Sequence, residues 1–155
     1  MHANTIKFFA VICLALTALI ALVAFVPSYV GGDGSLAVDA QKNYSYDKIK
    51  SNDDRINFLG QFGWEVDAEP KEERDVTIPA EFDKVFLAYN EIQRAQGLDL
   101  SAYKKKCVKR YTYRVTNYPD ADGEVYVNIL IWRNTVIGGD ICSASPDGFV
   151  HGFER

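Results

Sequence analysis

The C-terminal stretch VIGGDICSASPDGFVHGF, residues 136–153, contains the residue types that a thiol hydrolase uses. Such an enzyme needs a cysteine nucleophile, a histidine within hydrogen-bond reach of it, and a group that orients the histidine. Cys142, His151 and either Asp140 or Asp147 supply these groups within a short segment. Residue types alone are a weak signal, and no helix N-terminus is predicted here that would lower the pKa of the thiol. The stretch is therefore interpreted as the last strand of a small sheet and the turn after it, and a hydrolase using Cys142 and His151 remains the alternative.

The same stretch lacks the patterns of a cofactor or metal site. Gly138 and Gly139 are not followed by the lysine-bearing helix of a phosphate-binding loop, so they predict a bulge or a close backbone approach. Zinc requires paired ligands at characteristic spacing, and a calcium loop is a run of about twelve residues with regularly placed carboxylates. The sequence has neither pattern, and we expect no cofactor and no metal.

The segment YKKKCVKR, residues 103–110, is the one concentration of positive charge in an otherwise acidic region. It is interpreted as the solvated entrance to a strand. The alternative is a docking domain that binds anionic lipid headgroups or wall polymers. Broad nucleic-acid binding is disfavoured, because 21 acidic residues outnumber 17 basic ones. The candidate binding residues are Lys104, Lys105, Lys106, Lys109 and Arg110, together with Trp132, which is expected opposite Arg110.

Two helices are predicted ahead of the basic segment. Ser51 is expected to cap the first helix with Asp54 as its reciprocal partner, and Gly63 to end it in a left-handed turn. Pro79 fits the first turn of the second helix, which Gly97 closes. Between them, EVDAEPKEERDVTI suggests two short strands or an irregular edge. The apolar stripe of the second helix is formed by Phe82, Val85, Phe86, Tyr89 and Ile92.

From residue 107 onward the apolar residues alternate, which predicts an antiparallel meander of three strands with turns at PDADG and RNT. If the first turn is centred on residue 121, Arg110 lies opposite Trp132, and Tyr111 and Tyr113 point to the buried face. The second helix is expected to cover that face. The predicted fold class is α+β: an N-terminal transmembrane helix, then a small domain with two helices packed on an antiparallel sheet. This sheet consists of the C-terminal three-strand meander plus one or two short strands.

Two cysteines lie within the predicted meander. Cys107 begins its first strand and Cys142 ends its third, so the two are expected roughly 30 Å apart. A disulfide requires α-carbons within about 7 Å of each other. We therefore expect two free thiols.

Residues 8–26, FFAVICLALTALIALVAFV, contain no charge and no glycine. As a helix they would cover roughly 28 Å, close to the hydrocarbon thickness of a bilayer. The following FVPSYVGG lacks a clear small-residue cleavage pattern, so a retained anchor is favoured over a cleaved signal peptide. Lys7 precedes the span, which places the N-terminus in the cytoplasm. The predicted organisation is 1–7 cytoplasmic, 8–26 transmembrane, 27–50 flexible linker and 51–155 extracytoplasmic domain.

Three segments resemble an uncharacterised bacterial family, the domain of unknown function 4830. They are DDRINFLGQFGWEV, VTIPAEFDKVFLAYNEIQRAQGLDLSAYKKKCVKRYTYRVTNYP and NILIWRNTVIGGDICSASPDGFVHGF. The resemblance covers residues 52–153, and FGWEV, KRYTY and IGGD-C are its most specific parts. It implies a bacterial origin, mostly in clostridia and related Firmicutes, with one N-terminal membrane helix and a small exported domain. It implies no activity, and no catalytic or binding residue is carried over from it.

These observations predict a single-pass protein of the cell membrane whose exported domain is a non-enzymatic binding or sensing module at the bacterial cell envelope. The expected partners are the membrane itself, through the N-terminal anchor, and an envelope protein or an anionic polymer.

Overall fold

The structure, a computed structural model, describes residues 43–145 and 147–155. The predicted cytoplasmic N-terminus, the predicted transmembrane helix and the first part of the predicted linker lie outside these residues. Within the described part of the chain, no helix is both long enough and apolar enough to cross a membrane.

Two α-helices and one antiparallel sheet of five strands make up the fold in these residues. The strands lie in the sheet in the order of the sequence. The α+β class and the C-terminal meander are therefore confirmed. One short strand lies within the predicted segment EVDAEPKEERDVTI, and a second, at residues 150–151, was not predicted. The elements are α1 (Asn52–Gly60), β1 (Glu72–Thr77), α2 (Lys84–Ala95), a 3-10 helix (Leu100–Tyr103), β2 (Cys107–Val115), β3 (Val125–Trp132), β4 (Thr135–Ser143) and β5 (Val150–His151).

The pairing of β2 with β3 differs from the predicted register by two residues. Arg110 lies opposite Leu130 rather than Trp132, and Tyr111 lies opposite Ile129. The predicted pairing of Arg110 with Trp132 is therefore wrong, because the turn is centred one position earlier than expected. A shift of two residues leaves every side chain on its predicted face, since successive side chains of a strand alternate.

Strand β4 contains the bulge and the close approach that its two glycines predicted. The register with β3 shifts between Leu130 and Ile131, beside Gly138. The ring of Phe153 packs directly on Gly139, where a side chain would have no room. Gly138 meets Leu100, Gln93 and Leu130, so both glycines lie where a neighbouring side chain approaches the backbone closely.

The two helices lie on opposite faces of the sheet. Helix α1 covers the face of Tyr111 and Tyr113, so the prediction that the second helix covers it is wrong. Helix α2 covers the other face, where Val108 and Leu130 are buried in a smaller core. Strand β3 carries apolar residues on both faces, and each face therefore needs its own cover. The larger core includes Phe58, Leu59, Phe62, Trp64, Tyr113, Val127, Ile129, Ile141 and Phe153.

Helix α1 has the predicted signals at both ends. The Ser51 hydroxyl accepts from the Asp54 N–H at 3.1 Å, and the Asp54 carboxylate accepts from the Ser51 N–H at 2.8 Å. These reciprocal bonds form a capping box. At the other end, Gly63 has φ +82°, and the Trp64 N–H donates to the Leu59 carbonyl at 3.2 Å. This left-handed turn folds Trp64 back onto the α1 core.

Helix α2 begins later than predicted. Asp83 is its N-cap, with a carboxylate that accepts from the Phe86 N–H at 2.8 Å, and the first helical residue is Lys84. Pro79 therefore lies outside the first turn. The predicted end at Gly97 is confirmed by its φ of +77°.

The buried stripe of α2 is also more polar than predicted. Asn90 and Gln93 are buried, whereas Val85 and Ile92 are only half-buried. The Gln93 carbonyl oxygen accepts from the Gly139 N–H at 2.8 Å. Because β5 pairs with only two residues of β4, this glutamine supplies a hydrogen bond that a longer neighbouring strand would otherwise make.

Residues 43–50 pack on the domain, although they were predicted to belong to the linker. The Tyr44 ring stacks on Phe62 with 4.1 Å between centroids. The Tyr46 carbonyl accepts from the Val136 N–H at 2.8 Å, and Ile49 is buried. The folded domain therefore begins before Ser51.

Candidate functional site

The structure does not bring the predicted nucleophile and base together. Cys142 faces α2, where its Sγ lies 3.6 Å from Asn128 Nδ2 and beside Asp140. His151 faces the α1 side, because it pairs with Ile141, a core residue of that face. Adjacent residues of a strand point to opposite faces, so the sheet itself separates the thiol from the imidazole.

The surroundings of Cys142 favour the protonated thiol. Burial, and after it the neighbouring Asp140 carboxylate, raises the pKa of the thiol. Burial also raises the pKa of the Asp140 carboxyl, although that carboxyl accepts hydrogen bonds from Tyr89 at 2.8 Å and Asn128 at 3.0 Å. A thiol attacks as its thiolate, which this environment disfavours. The cluster ties α2 to the sheet through Tyr89.

His151 belongs to an aromatic cluster at the end of β5. Its Nε2 lies 3.2 Å from the Tyr118 hydroxyl, and its Nδ1 lies 2.7 Å from the Gly152 carbonyl oxygen. Its ring stacks on Phe149, and Tyr118 is stacked between Phe149 and Trp64. Both nitrogens of the imidazole are thus engaged, and both faces of Tyr118 are covered.

Strand β1 neutralises part of the predicted basic segment. Lys109 Nζ lies 2.8 Å from the Glu73 carboxylate and 3.4 Å from that of Asp75. Arg110 forms an ion pair with Glu72. These pairs follow from the register, in which the acidic EERD of β1 pairs antiparallel with KRYT, residues 109–112, of β2.

The other lysines of the segment and Trp132 lie at the entrance of β2. Lys104, Lys105 and Lys106 are exposed and form no ion pair among the residues that the structure describes. The half-buried Trp132 ring meets Tyr103 edge-on at 5.5 Å, and the guanidinium of Arg133 lies 4.4 Å from its centre. The segment therefore reaches Trp132 through Tyr103.

A groove of ≈ 390 Å³ opens at the end of the sheet where β2 begins and β3 ends. The N-terminal segment reaches this end because the Ile49 N–H donates to the Asn134 carbonyl at 2.8 Å. Aromatic, aliphatic and charged side chains line the groove. The charged residues are Lys50, Arg55, Lys109 and Arg133, with Asp75 as the acidic one.

Arg55 is the buried member of this basic set, with 8% of its surface exposed. Its guanidinium lies over the Tyr111 ring at 3.8 Å. Its Nε donates to the Tyr113 hydroxyl at 2.7 Å, and its Nη2 donates to Asn52 at 3.3 Å. No ion pair of Arg55 occurs among the described residues. The hydrogen-bond partners of this buried cation are thus uncharged, and Arg55 interacts electrostatically with the Glu73 carboxylate without forming an ion pair. Burial of a cation without a directly paired anion is costly.

The comparison with protein families matches the central part of this fold. A family model described as a domain of unknown function (DUF4830) matches residues 58–141, which is more than half of the 155-residue chain. The chain belongs to the DUF4830 family. The resemblance of its sequence to that family is thereby confirmed. No curated protein and no solved structure matches the chain.

The charged side chains that line the groove of this DUF4830 domain are mostly basic, with four cationic residues against one carboxylate. Guanidinium and ammonium groups carry only hydrogen-bond donors, and they carry positive charge. Across the described residues, no group of three His, Cys, Asp or Glu side chains is placed to hold a metal ion. The groove therefore presents donors for a negatively charged ligand and a tryptophan at its rim.

The sequence interpretation found Lys109 and Trp132 of this DUF4830 groove but missed Arg55, Lys50 and Arg133. One signal for Arg55 was present: it stands three and four residues before Phe58 and Leu59, so a charged residue occupies the buried stripe of α1. Lys50 and Arg133 carry no such local signal, because only the tertiary fold brings their segments together.

Proposed function

We propose that the protein is a single-pass membrane protein of the bacterial cell envelope and that its DUF4830 domain is an extracytoplasmic, non-enzymatic binding or sensing module. The N-terminus lies in the cytoplasm and residues 8–26 cross the membrane. The groove at the end of the sheet is the binding site of the module. It is selective for anions.

The charge and shape of the groove carry this proposal. Its volume of ≈ 390 Å³ lies in the range of small-molecule sites, and such sites combine apolar walls with a few fixed polar groups. The separation of Cys142 from His151 by the sheet supports binding rather than thiol hydrolysis. The apolar run of residues 8–26 supports the membrane anchor.

Ligand screening of the full chain in detergent micelles tests the binding function. The two tryptophan indole N–H resonances are separate reporters, because Trp132 borders the groove and the Trp64 indole donates to the Phe153 carbonyl. At least one anionic compound in a panel of anionic, neutral and cationic small molecules is expected to shift the Trp132 resonance and leave Trp64 in place. A panel in which no anion does so would overturn the binding function.

The topology is tested in intact cells with a membrane-impermeant maleimide. Cys107 is exposed, whereas the surroundings of Cys142 disfavour its thiolate. Labelling of Cys107 before lysis is expected, and a Cys107→Ser variant gives the background. Labelling only after lysis, or recovery of the chain in the aqueous fraction, would contradict the proposed anchor and orientation.

A second candidate function is docking on anionic lipid headgroups through Lys104, Lys105 and Lys106. The observation that favours it is that these lysines lack ion pairs within the described residues, whereas Lys109 and Arg110 are paired with β1. A fluorophore on Cys107 reports docking when the full chain is placed in lipid nanodiscs that carry a headgroup quencher. We expect stronger quenching with phosphatidylglycerol than with phosphatidylcholine alone, and a decrease with added salt. Equal quenching in the two lipids would contradict docking.

A further inference from the structure

We propose that the groove holds a phosphate group and that Arg55 is its principal ligand. The inference rests on the proposed binding function and names the chemistry of the bound group. The phosphate belongs either to a soluble phosphate compound or to an anionic phospholipid headgroup, and the two sources offer the same oxygens to the groove.

The first argument is that Arg55 forms no ion pair among the residues that the structure describes. Its Nε and Nη2 are occupied by Tyr113 and Asn52, and Nη1 has no hydrogen-bond partner among the described residues. Tyr111 lies against one side of the guanidinium. Arg55 lines the groove, so an oxyanion bound there would give the guanidinium a directly bonded counter-ion.

The second argument is that the cationic residues of the groove come from different structural elements. Arg55 comes from α1, Lys109 from β2, Arg133 from the turn between β3 and β4, and Lys50 from the segment before α1. Four structural elements thus contribute a cationic residue each to the lining of one groove. A carboxylate offers two oxygens in one plane, whereas a phosphate offers oxygens in several directions and a larger negative charge.

The third argument concerns the single acidic residue of the groove. Asp75 would repel an anion, but its carboxylate lies 3.4 Å from Lys109 Nζ. Lys109 is shared with Glu73, which lies 2.8 Å away. Lys109 is therefore largely neutralised by β1, and Arg55, Lys50 and Arg133 remain to hold the phosphate.

The test uses the isotope-labelled full chain in micelles of an uncharged detergent. Inorganic phosphate is titrated in, with acetate as the comparison anion at matched ionic strength, and the Trp132 and Trp64 indole resonances are followed. Phosphate is expected to shift Trp132 saturably. Arg55→Gln is expected to weaken the apparent affinity by roughly tenfold or more, because a charged hydrogen bond is lost.

Two further variants keep the test decisive if Arg55→Gln does not fold. Arg133→Gln removes an arginine from the turn beside the groove and is expected to weaken phosphate binding several-fold. Arg94→Gln is the matched control, because Arg94 lies on α2, is exposed and pairs with Glu91. This control is expected to bind phosphate like the parent.

Nanodiscs without added phosphate distinguish the two sources. A Trp132 shift that appears with phosphatidylglycerol but not with phosphatidylcholine alone, and that Arg133→Gln reduces, identifies a lipid headgroup. A shift that appears only on addition of inorganic phosphate identifies a soluble phosphate. Absence of both shifts, or shifts that neither variant reduces, overturns the phosphate site. Binding of acetate as tight as that of phosphate also overturns it and leaves the anion-binding module standing.

Discussion

Replacement of Gly139 by alanine tests the packing at the centre of β4. A β-carbon at this position would lie 2.2 Å from Cζ of Phe153 and 2.3 Å from the carbonyl oxygen of Asn128. Favourable carbon contacts lie at about 3.5–4.0 Å, so both neighbours would have to move by more than an ångström or so. The Phe153 ring is buried against Phe58 and Phe62, and the Asn128 carbonyl is fixed in the backbone of β3.

Because neither neighbour can give way, Gly139→Ala should lower the free energy of unfolding by about 1–3 kcal/mol or more, the cost typical of overpacked cores. For a domain of this size, each kcal/mol lowers the Tm by roughly 4–8 °C. Gly60→Ala is the matched control: nothing lies within 4 Å of its added β-carbon, and the residue ends α1. The free energy of unfolding of this control should be higher than that of the parent by about 0.4–1 kcal/mol, because alanine reduces the entropy of the unfolded chain.

The measurement is urea unfolding of the full chain in detergent, followed by tryptophan fluorescence. Both tryptophans of the sequence lie in the described domain, so the signal reports on this domain. The expected order of midpoints is Gly60→Ala highest, then the parent, then Gly139→Ala. A Gly139→Ala midpoint equal to that of the parent would refute the described packing of Phe153 on β4.

Three further predictions concern ionisable groups. Burial raises the pKa of Asp140 above its ordinary 3.8. The protonated carboxyl therefore contributes fully to stability below pH 3.8, and this contribution is lost as the pH rises through the raised pKa of the folded state. The free energy of unfolding of Asp140→Asn, minus that of the parent, should therefore increase from about pH 4 to about pH 7 in urea unfolding. A difference between variant and parent that stays constant over this range would contradict the prediction. Maleimide at neutral pH should modify Cys107 and spare Cys142 until the domain unfolds, as read by peptide mass spectrometry; equal rates would mean that Cys142 is not shielded. Hydrogen bonds, first of all that from Asn90, lower the pKa of Asp99 to about 2, so its contribution is present above 3.8 and is lost as the pH falls through about 2. Carboxyl carbon NMR should give that midpoint, and Asn90→Ala should return it towards 3.8, whereas an unchanged midpoint would exclude this cause.

Local signals predicted much of the fold. The capping box of Ser51 and Asp54, the left-handed turn at Gly63 and the three strands of the meander were all readable, because each depends on residues a few positions apart. The start of α2 was missed because Pro79 and Asp83 are both plausible first-turn signals, and only the hydrogen bond to Phe86 distinguishes them.

Long-range arrangement limited the prediction of the site. The residue types of a hydrolase were present, but the turn between β4 and β5 sets which face of the sheet His151 occupies. A short turn of either parity fits the sequence, and the observed one puts His151 opposite Ile141. The basic segment was likewise recognised, but its neutralisation depends on the pairing of β1 with β2, which places Glu72 and Glu73 beside it.

The sequence by itself determined most secondary-structure elements of this protein, its family, and the expectation that Cys107 and Cys142 are free thiols. These properties follow from short spacings and residue types. Only the tertiary structure decided which helix covers which face, that the sheet separates Cys142 from His151, and that Arg55 meets Lys50 and Arg133 at one groove. The physical reason is that strand register and turn geometry join distant segments. A single step of register moves a side chain to the opposite face without any change in local pattern.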